Sequence, residues 1–351
     1  MMRSLLWAAW SLSCAALRLD AVSKGLRFFG QRRPLRIVNA PGAPTYDGSS
    51  ALRVLVWNVQ YCAGIRQHYF YDGGRAVSST KAEVLATTAA IGDVIAEVNP
   101  DVVLLQEVDR GARRTGRIDE YAMLATRLGE CGLGSSCSAS YWRVPYVPSP
   151  NHEHLGRTSM HLATFSRFKI EKATRHQLPL LAESRLRRIF NLRRAVLETH
   201  LANGPTMLNT HLSAFSRGDG TLERQVTRIQ EILPRAGPNW LIAGDFNSLT
   251  PFERRETLAL EEERALYSDS TAVKPLYDAH VAAWAESDFQ ADAPPPFTYK
   301  AWTSEAVDRT IDHAFASPGA TFESARVVAT KGGYLSDHQP LEVLVSFPKP
   351  P

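Results

Sequence analysis

The chain has 351 residues, 44% of them hydrophobic, so it holds enough apolar material for one large domain or two small ones. Four cysteines exclude a disulfide-stabilised scaffold at this length. The formal net charge of +4 is compatible with a phosphate-bearing substrate or an anionic membrane surface, and it is specific to neither. No internal repeat or long linker interrupts the sequence, which favours a single large domain.

Residues 1–36 differ in composition from the rest of the chain. Arg3 precedes an apolar run over residues 5–17, and basic residues dominate after it. The run is short for a membrane span and predicts a signal peptide or signal anchor, with an organellar presequence or a basic tail as alternatives. We therefore expect an exported or membrane-associated protein, with a cytoplasmic location as the alternative. Residues 37–50 are predicted to be a linker into a catalytic domain over residues 51–347.

The catalytic domain opens with a strand, a helix and a second strand. Residues 52–59 are rich in β-branched residues and predict a strand that ends at Asn58. Residues 80–83 form a capping box, and apolar residues follow it at helical spacing. Residues 101–107 are almost all apolar and predict a buried strand. This order places Asn58 and Glu107 at the ends of neighbouring strands.

The middle of the chain predicts a helix over residues 119–128 and a long loop over residues 131–158. Within that loop, Cys131 and Cys137 would close a small disulfide in an exported protein, although two free thiols are favoured. Residues 183–194 alternate arginines with apolar side chains and predict either an amphipathic surface segment or a substrate-facing one. Strands are predicted over residues 162–166, 194–199 and 206–210.

The last third of the chain predicts further helices and strands. A helix is predicted after Gly220, and an acidic, helical excursion is predicted over residues 253–267. Strands are predicted over residues 310–316, 325–330 and 341–347. Strands dominate the whole domain with helices between some of them, which favours two packed sheets with helices on their outer faces.

The stretch over residues 241–248 is the strongest local signal for a functional site. An apolar run of strand length ends in Gly244 and is followed by Asp245 and Asn247. On an extended backbone, residues two apart point to the same side, so both side chains would reach one pocket. The alternative is a strand that ends in an Asx-type turn.

Polar clusters also follow the other apolar runs, which scattered turns would not explain. The side chains supply hard oxygen ligands, amides and imidazoles without a cysteine, a set that suits Mg²⁺ or Mn²⁺ and not zinc. The clusters at the ends of runs are Trp57-Asn58, Gln106-Glu107, Asn209-Thr210-His211 and Ser336-Asp337-His338, and Ile311-Asp312-His313 opens a sixth run.

Six segments resemble, in order, the successive motifs of the endonuclease/exonuclease/phosphatase superfamily. The resemblance covers residues 52 to about 347 and implies a four-layered α/β sandwich of two packed, mostly antiparallel sheets flanked by helices. It also implies hydrolysis of a phosphoester with Mg²⁺ or Mn²⁺. The segments are LVWNVQ, LLQEVD, LNTHLSAF, IAGDFNSL, RTIDHAFAS and LSDHQPLEV.

The resemblance assigns a role to eight residues of this chain. Glu107 would bind the metal with Asn58 beside it, and Asp337 would complete the acidic pocket. Asp245 would orient or deprotonate the attacking water, and either Asp245 or His338 would be the general base. The remaining roles are Asn247 steadying the water or a phosphate oxygen, His211 hydrogen-bonding the scissile phosphate and Asp312 holding His338.

Three positions in two segments depart from the pattern of the superfamily. His313 stands where relatives usually carry tyrosine, and we expect it to be packed or hydrogen-bonded. His161 and Leu162 replace the usual glycine and asparagine, which alters a donor that relatives place near the phosphate.

These departures leave several substrates open. We expect a monomeric phosphodiester hydrolase that acts on nucleic acid, with membrane association possible through the N-terminus. The alternatives are a lipid phosphodiesterase of sphingomyelinase, phosphoinositide or glycolipid head-group type, a phosphomonoesterase, and a non-catalytic adaptor on the same fold.

Overall fold

The computed structural model describes residues 32–48, 50–184, 186–214, 218–268, 270–290, 294–331 and 333–348. The predicted signal or anchor segment therefore lies almost entirely outside the described residues. Within the described ranges, no helix combines the length and the apolar character needed to cross a bilayer.

Two mixed sheets of seven strands each form the centre of the molecule. In chain order the strands are β1 (Arg32–Pro34), β2 (Ile37–Val38), β3 (Leu52–Asn58), β4 (Val102–Asp109), β5 (Ser135–Val147), β6 (Gly156–Ser166), β7 (Ile170–Gln177), β8 (Ala195–Leu201), β9 (Thr206–His211), β10 (Trp240–Asp245), β11 (Val281–Ala282), β12 (Asp312–Ala316), β13 (Thr321–Val327) and β14 (Leu341–Ser346). The first sheet has the order β1-β7-β8-β9-β10-β12-β11, and the second has the order β13-β14-β3-β4-β6-β5-β2. Only the pairs β9 with β10 and β3 with β4 are parallel among the described strands.

Helices cover the outer faces of the sheets. The predicted capping box is present, since the side chains of Thr80 and Glu83 each accept a hydrogen bond from the other's backbone N–H. The α-helices are α1 (Lys81–Val98), α2 (Glu120–Glu130), α3 (Arg187–Phe190), α4 (Thr221–Ile232), α5 (Glu261–Arg264), α6 (Lys274–Ala279) and α7 (Ser287–Gln290). Short 3-10 turns lie at Gln60–Cys62, Phe70–Asp72, Leu233–Arg235 and Arg255–Thr257.

Three apolar layers hold the four structural layers together, which confirms the predicted sandwich. Val56 and Leu241 belong to the cluster between the two sheets. Ile91 of α1 packs in the cluster on the outer face of the second sheet. Ile229 of α4 and Ile242 of β10 belong to the cluster on the outer face of the first sheet. Strands buried on both faces explain the uninterrupted apolar runs in the sequence.

Three local predictions differ from the structure. The predicted loop over residues 131–158 is wrong for β5, whose buried positions are often serine, alanine or cysteine and lack the usual apolar signature of a strand. The strand β7 was not predicted, because its sequence is largely polar. The acidic stretch over residues 253–267 holds only one 3-10 turn and the single-turn helix α5. In addition, β1 and β2 extend the sheets to residues that precede Leu52.

The strand registers bring the polar ends of the strands to one edge of the sandwich. Asp245 at the end of β10 lies opposite His211 of β9 on one side and Asp312 of β12 on the other. Between the sheets, Gln106 Nε2 donates to Asn209 Oδ1 at 2.8 Å, and Asn209 Nδ2 donates to the carbonyl oxygens of both β4 and β6 at 2.9 Å. These buried amides hold the two sheets together next to Glu107 and close to His211.

Gly244 permits the close approach of β10 and β9 on which this register depends. Its φ of +149° disfavours other residues, and a Cβ there would lie 1.9 Å from the carbonyl oxygen of Thr210. We expect Gly244→Ala to lower the free energy of unfolding by more than about 3 kcal/mol, because backbone must move to relieve the overlap. Denaturant unfolding measures this change.

Gly129→Ala is the matched control, since Gly129 lies in α2 with no atom within 4 Å of the added Cβ. Helix propensity predicts that this variant is neutral or more stable by about 0.5–1 kcal/mol. An unfolding free energy for Gly244→Ala equal to that of the unsubstituted chain would contradict the close approach.

Candidate active site

The carboxylate of Asp245 lies at the centre of the polar edge and is almost completely buried. Its Oδ2 accepts from Asn58 Nδ2 at 3.0 Å and lies 3.1 Å from His211 Nε2 and 3.7 Å from His338 Nε2. Burial raises the pKa of Asp245 to about 7; the nearby His338 opposes this rise and the negative Asp312 adds to it. A carboxylate with this pKa can exchange a proton near neutral pH.

His338 is held in its charged form by two carboxylates. Its Nδ1 lies 2.7 Å from Asp312 Oδ2, which is the predicted pairing. Although burial disfavours the imidazolium, Asp312 and Asp245 raise the pKa of His338 to about 10. Trp57 Nε1 donates to the backbone carbonyl of His338 at 2.8 Å and fixes its position. His338 therefore carries a positive charge at neutral pH, which leaves Asp245 as the better candidate for the general base.

His211 has the opposite protonation state. Burial lowers its pKa well below the ordinary value, and the positive charges of Arg194 and His338 lower it further. Its Nδ1 lies 3.1 Å from the hydroxyl of Tyr141, which also accepts from the backbone N–H of Glu107 at 3.2 Å. If Tyr141 donates to Nδ1, the neutral imidazole carries its proton on Nε2, which lies 3.1 Å from Asp245 Oδ2. The nitrogen expected to reach a phosphate thus lies next to Asp245.

The three residues predicted at the metal lie around one acidic pocket. Burial raises the pKa of Asp337 to about 7; His338 lowers it, whereas Glu107 and Asp72 raise it because their negative charges are close. Asn58 lies beside this pocket, with Oδ1 accepting from the backbone N–H of Gln60 at 3.1 Å. Glu107 adopts a φ of +60° in an irregular part of β4, where the register with β6 shifts. This strained backbone conformation determines the direction in which the Glu107 side chain points.

The donor chemistry of this pocket fits a hard divalent cation. Glu107 and Asp337 offer carboxylate oxygens whose mutual repulsion a cation would relieve. Within the described ranges, no group of three or more His, Cys, Asp or Glu side chains is arranged to enclose a metal ion. Two carboxylates satisfy Mg²⁺ nevertheless, because this ion keeps several waters and binds substrate phosphate oxygens.

A sequence model of the Endonuclease/Exonuclease/phosphatase family matches residues 55–338, a range that includes all eight predicted site residues. The chain belongs to this family. Its members are generally hydrolases of phosphoester bonds, and many use divalent metals. No curated protein sequence matches the chain significantly.

Solved structures share the family fold at low sequence identity. A family protein from Beutenbergia cavernae is 20% identical with a TM-score of 0.57, and the match covers 85% of this chain and 72% of that one. The human Nocturnin catalytic domain with bound sulfate is 19% identical with a TM-score of 0.53, over 90% and 99% of the two chains. D. rerio TDP2 complexed with a single-strand DNA product is 13% identical with a TM-score of 0.50, over 85% and 99%. These likenesses establish the fold.

Asn247 in this family member does not extend the strand as the sequence pattern suggested. Its φ is +49°, and its backbone N–H donates to Asp245 Oδ1 at 2.9 Å, so the two residues form an Asx-type turn. Its Nδ2 donates to the carbonyl oxygen of Leu212 at 3.1 Å. The extended geometry predicted for residues 245–247 is therefore wrong, although Asn247 still fixes the carboxylate of Asp245.

Sequence reasoning missed two residues that reach the site. Tyr141 lies in β5, the strand that resembled a loop, although the alternation of Cys137, Ala139 and Tyr141 with serines was a weak sequence signal for a strand. Asp72 lies at the end of a 3-10 turn, where burial and the charge of Glu107 raise its pKa to about 6. No pattern around Asp72 distinguishes it from an ordinary turn residue.

Of the departures from the family pattern, His313 is hydrogen-bonded in the core as expected. Its Nε2 lies 2.8 Å from the carbonyl oxygen of Ser248 and its Nδ1 lies 3.0 Å from the hydroxyl of Tyr277. His161 Nε2 lies 3.2 Å from Ser159 Oγ, and burial with nearby Arg110 lowers the pKa of His161 to about 3. Both histidines are neutral at physiological pH. The cysteines Cys131 and Cys137 are free thiols, which confirms the favoured alternative.

The pairing of Asp312 with His338 predicts strong non-additivity. We expect His338→Ala to lower kcat by at least about 100-fold, because the cationic side of the site is lost. Asp312→Ala should also lower kcat, whereas adding it to His338→Ala should cost little more, since residues that act as one unit are not additive. Turnover of bis-p-nitrophenyl phosphate measures all three variants. If the two losses multiply in the double variant, Asp312 acts independently of His338.

Proposed function

We propose that this protein is a metal-dependent phosphodiester hydrolase that acts on nucleic acid. The observation that carries the proposal is the arrangement of a buried carboxylate with a pKa of about 7, Asp245, between the neutral His211 and the cationic His338. Phosphodiester hydrolysis requires a base for water and positive charge for the phosphoryl oxygens. A non-catalytic adaptor would gain nothing from burying such a set.

In this proposal, each side chain has a task that follows from its contacts. Asp245 takes a proton from the attacking water, and Asn58 and the backbone of Asn247 hold the carboxylate in position. His338 stabilises the negative charge that develops on the phosphoryl group, and Asp312 keeps this imidazole charged and oriented.

Glu107 and Asp337 would hold the metal, with Asn58 beside them. When bound, Mg²⁺ or Mn²⁺ supplies additional positive charge for the phosphoryl oxygens and binds water.

Support for nucleic acid as the substrate comes from the fold and from the charge of one segment. TDP2 of D. rerio, which shares the fold, binds a single-strand DNA product. In this chain, Arg187 and Arg188 lie on the short helix α3, and Arg187 is exposed to solvent. Arginines outside the catalytic pocket suit a substrate whose phosphates continue beyond the scissile bond.

A lipid phosphodiester is the second candidate, because the same segment exposes apolar side chains. Leu186 is 71% exposed and Phe190 is 37% exposed. Apolar side chains beside arginines are typical of segments that lie on anionic membranes.

Removal of divalent metal tests the hydrolase proposal directly. We expect the purified chain to hydrolyse bis-p-nitrophenyl phosphate with Mg²⁺ or Mn²⁺, to lose this activity in EDTA and to regain it on metal addition. Glu107→Gln and Asp337→Asn should raise the metal concentration needed for half-maximal rate by about tenfold or more. Asp278→Asn, which changes an exposed carboxylate of α6, is the control and should not. Undiminished turnover in metal-free buffer would refute the metal requirement.

Paired substitutions in α3 and at its start separate the two substrate classes. If nucleic acid is the substrate, Arg187→Gln with Arg188→Gln should weaken single-stranded DNA hydrolysis about tenfold at low salt and reduce its salt dependence. Leu186→Ser with Phe190→Ser should leave DNA hydrolysis unchanged. Activity confined to sphingomyelin or phosphoinositide vesicles, and lost in the serine pair, would establish the lipid candidate instead.

A further inference from the structure

Arg194 differs from the other buried arginines of the described chain in its lack of partners. Arg114 is paired with Asp109, Arg309 is paired with Glu263 and Asp308, and Arg175 donates to carbonyl oxygens. Arg194 is only 7% exposed, yet no described residue accepts a hydrogen bond from its guanidinium, and its buried Nη1 has no partner. A buried guanidinium without an acceptor is unfavourable unless an anion binds it.

The position of Arg194 connects this unpaired charge to the candidate active site. Its guanidinium carbon lies 5.4 Å from the centre of the Tyr141 ring. The hydroxyl of Tyr141 in turn contacts His211 and the backbone of Glu107. Arg194 directly precedes β8, so its backbone is fixed by the sheet and its carbonyl oxygen accepts from the backbone N–H of Leu178.

The surroundings of Arg194 supply more positive charge and no compensating carboxylate within 4 Å among the described residues. Arg193 donates from its backbone to the carbonyl oxygen of Tyr141 at 2.6 Å, and Arg175 donates to the neighbouring carbonyl oxygen of Ser140 at 2.8 Å. Contacts with Ser140 and Tyr141 of β5 therefore bring Arg175, Arg193 and Arg194 together near Tyr141. Such a cluster favours a bound anion.

We propose that the Arg194 guanidinium binds a non-bridging oxygen of the scissile phosphate. This inference rests on the proposed function, because it assumes that the phosphate lies between Asp245 and the acidic pocket. The guanidinium would enter from the Tyr141 and His211 side, and its planar donors suit a tetrahedral phosphate in both the ground state and the transition state. Arg194 is then a catalytic residue and not a part of the surface-exposed basic helix.

The test compares Arg194→Met and Arg194→Lys with Arg235→Met in the full chain. Arg235 is the matched control, since it is an exposed arginine outside the proposed substrate contacts. We expect Arg194→Met to lower kcat/KM for bis-p-nitrophenyl phosphate by at least about 100-fold at saturating Mn²⁺, and Arg194→Lys to recover part of it. Arg235→Met should leave this small substrate unaffected.

A second measurement does not depend on turnover. Calorimetric titration with inorganic phosphate in EDTA should detect binding to the unsubstituted chain and to Arg235→Met. Binding to Arg194→Met should be at least tenfold weaker, which corresponds to the loss of one charged hydrogen bond. Thermal unfolding checks that Arg194→Met remains folded. If Arg194→Met is unfolded, the phosphate affinity of Arg194→Lys, which retains the charge, is compared with that of the unsubstituted chain instead.

Three outcomes distinguish the role of Arg194 from the proposed hydrolase activity. Unchanged kcat/KM and unchanged phosphate affinity in Arg194→Met would overturn the inference. Loss on single-stranded DNA with full activity on the small diester would also overturn it, because Arg194 would then bind a flanking phosphate. Arg194-dependent phosphate binding in a chain that hydrolyses no diester would support the anion site and refute the proposed hydrolase activity.

Discussion

The structure depends on the burial of one carboxylate, Asp245, between two sheets. A buried carboxylate without donors is strongly destabilising, so the fold must bring donors to it from both sides. Asn58 and His338 come from the second sheet, while His211 lies on the strand next to Asp245 in the first. Gly244 allows those neighbouring strands to approach closely enough for this contact. Folding and assembly of the candidate site therefore rest on the same contacts.

The two histidines at Asp245 show how partners determine protonation. His338 faces the carboxylate of Asp312 and is held positive, whereas His211 faces the hydroxyl of Tyr141 and the charge of Arg194 and is held neutral. Environments that push the pKa values of adjacent groups apart are a recognised means of assigning acid and base roles. This division leaves Asp245 as the group next to the two histidines whose protonation changes near neutral pH, while Asp337 in the acidic pocket also has a pKa of about 7.

The sequence predicts those site residues that follow apolar strands. Asn58, His211 and Asp245 could be placed because each terminates a run whose length and composition identify a buried strand. Tyr141 could not, because its strand carries small polar residues that resemble a loop. The turn at Asn247 was predicted only as an alternative, since turn and strand use the same residues there. The burial of Arg194 depends on packing between sheets that no local pattern records.

The pH dependence of Asp245→Asn tests whether Asp245 is the general base. With metal saturating at every pH, we expect kcat/KM of the unsubstituted chain on bis-p-nitrophenyl phosphate to fall as pH decreases through about 7, because the raised pKa of Asp245 leaves this carboxylate protonated below that pH. Asp245→Asn should lose at least about 1,000-fold in rate and lose this acidic limb, with its unfolding transition nearly unchanged. A variant that keeps most of the activity, or the same acidic limb, would contradict the assignment of Asp245 as the base.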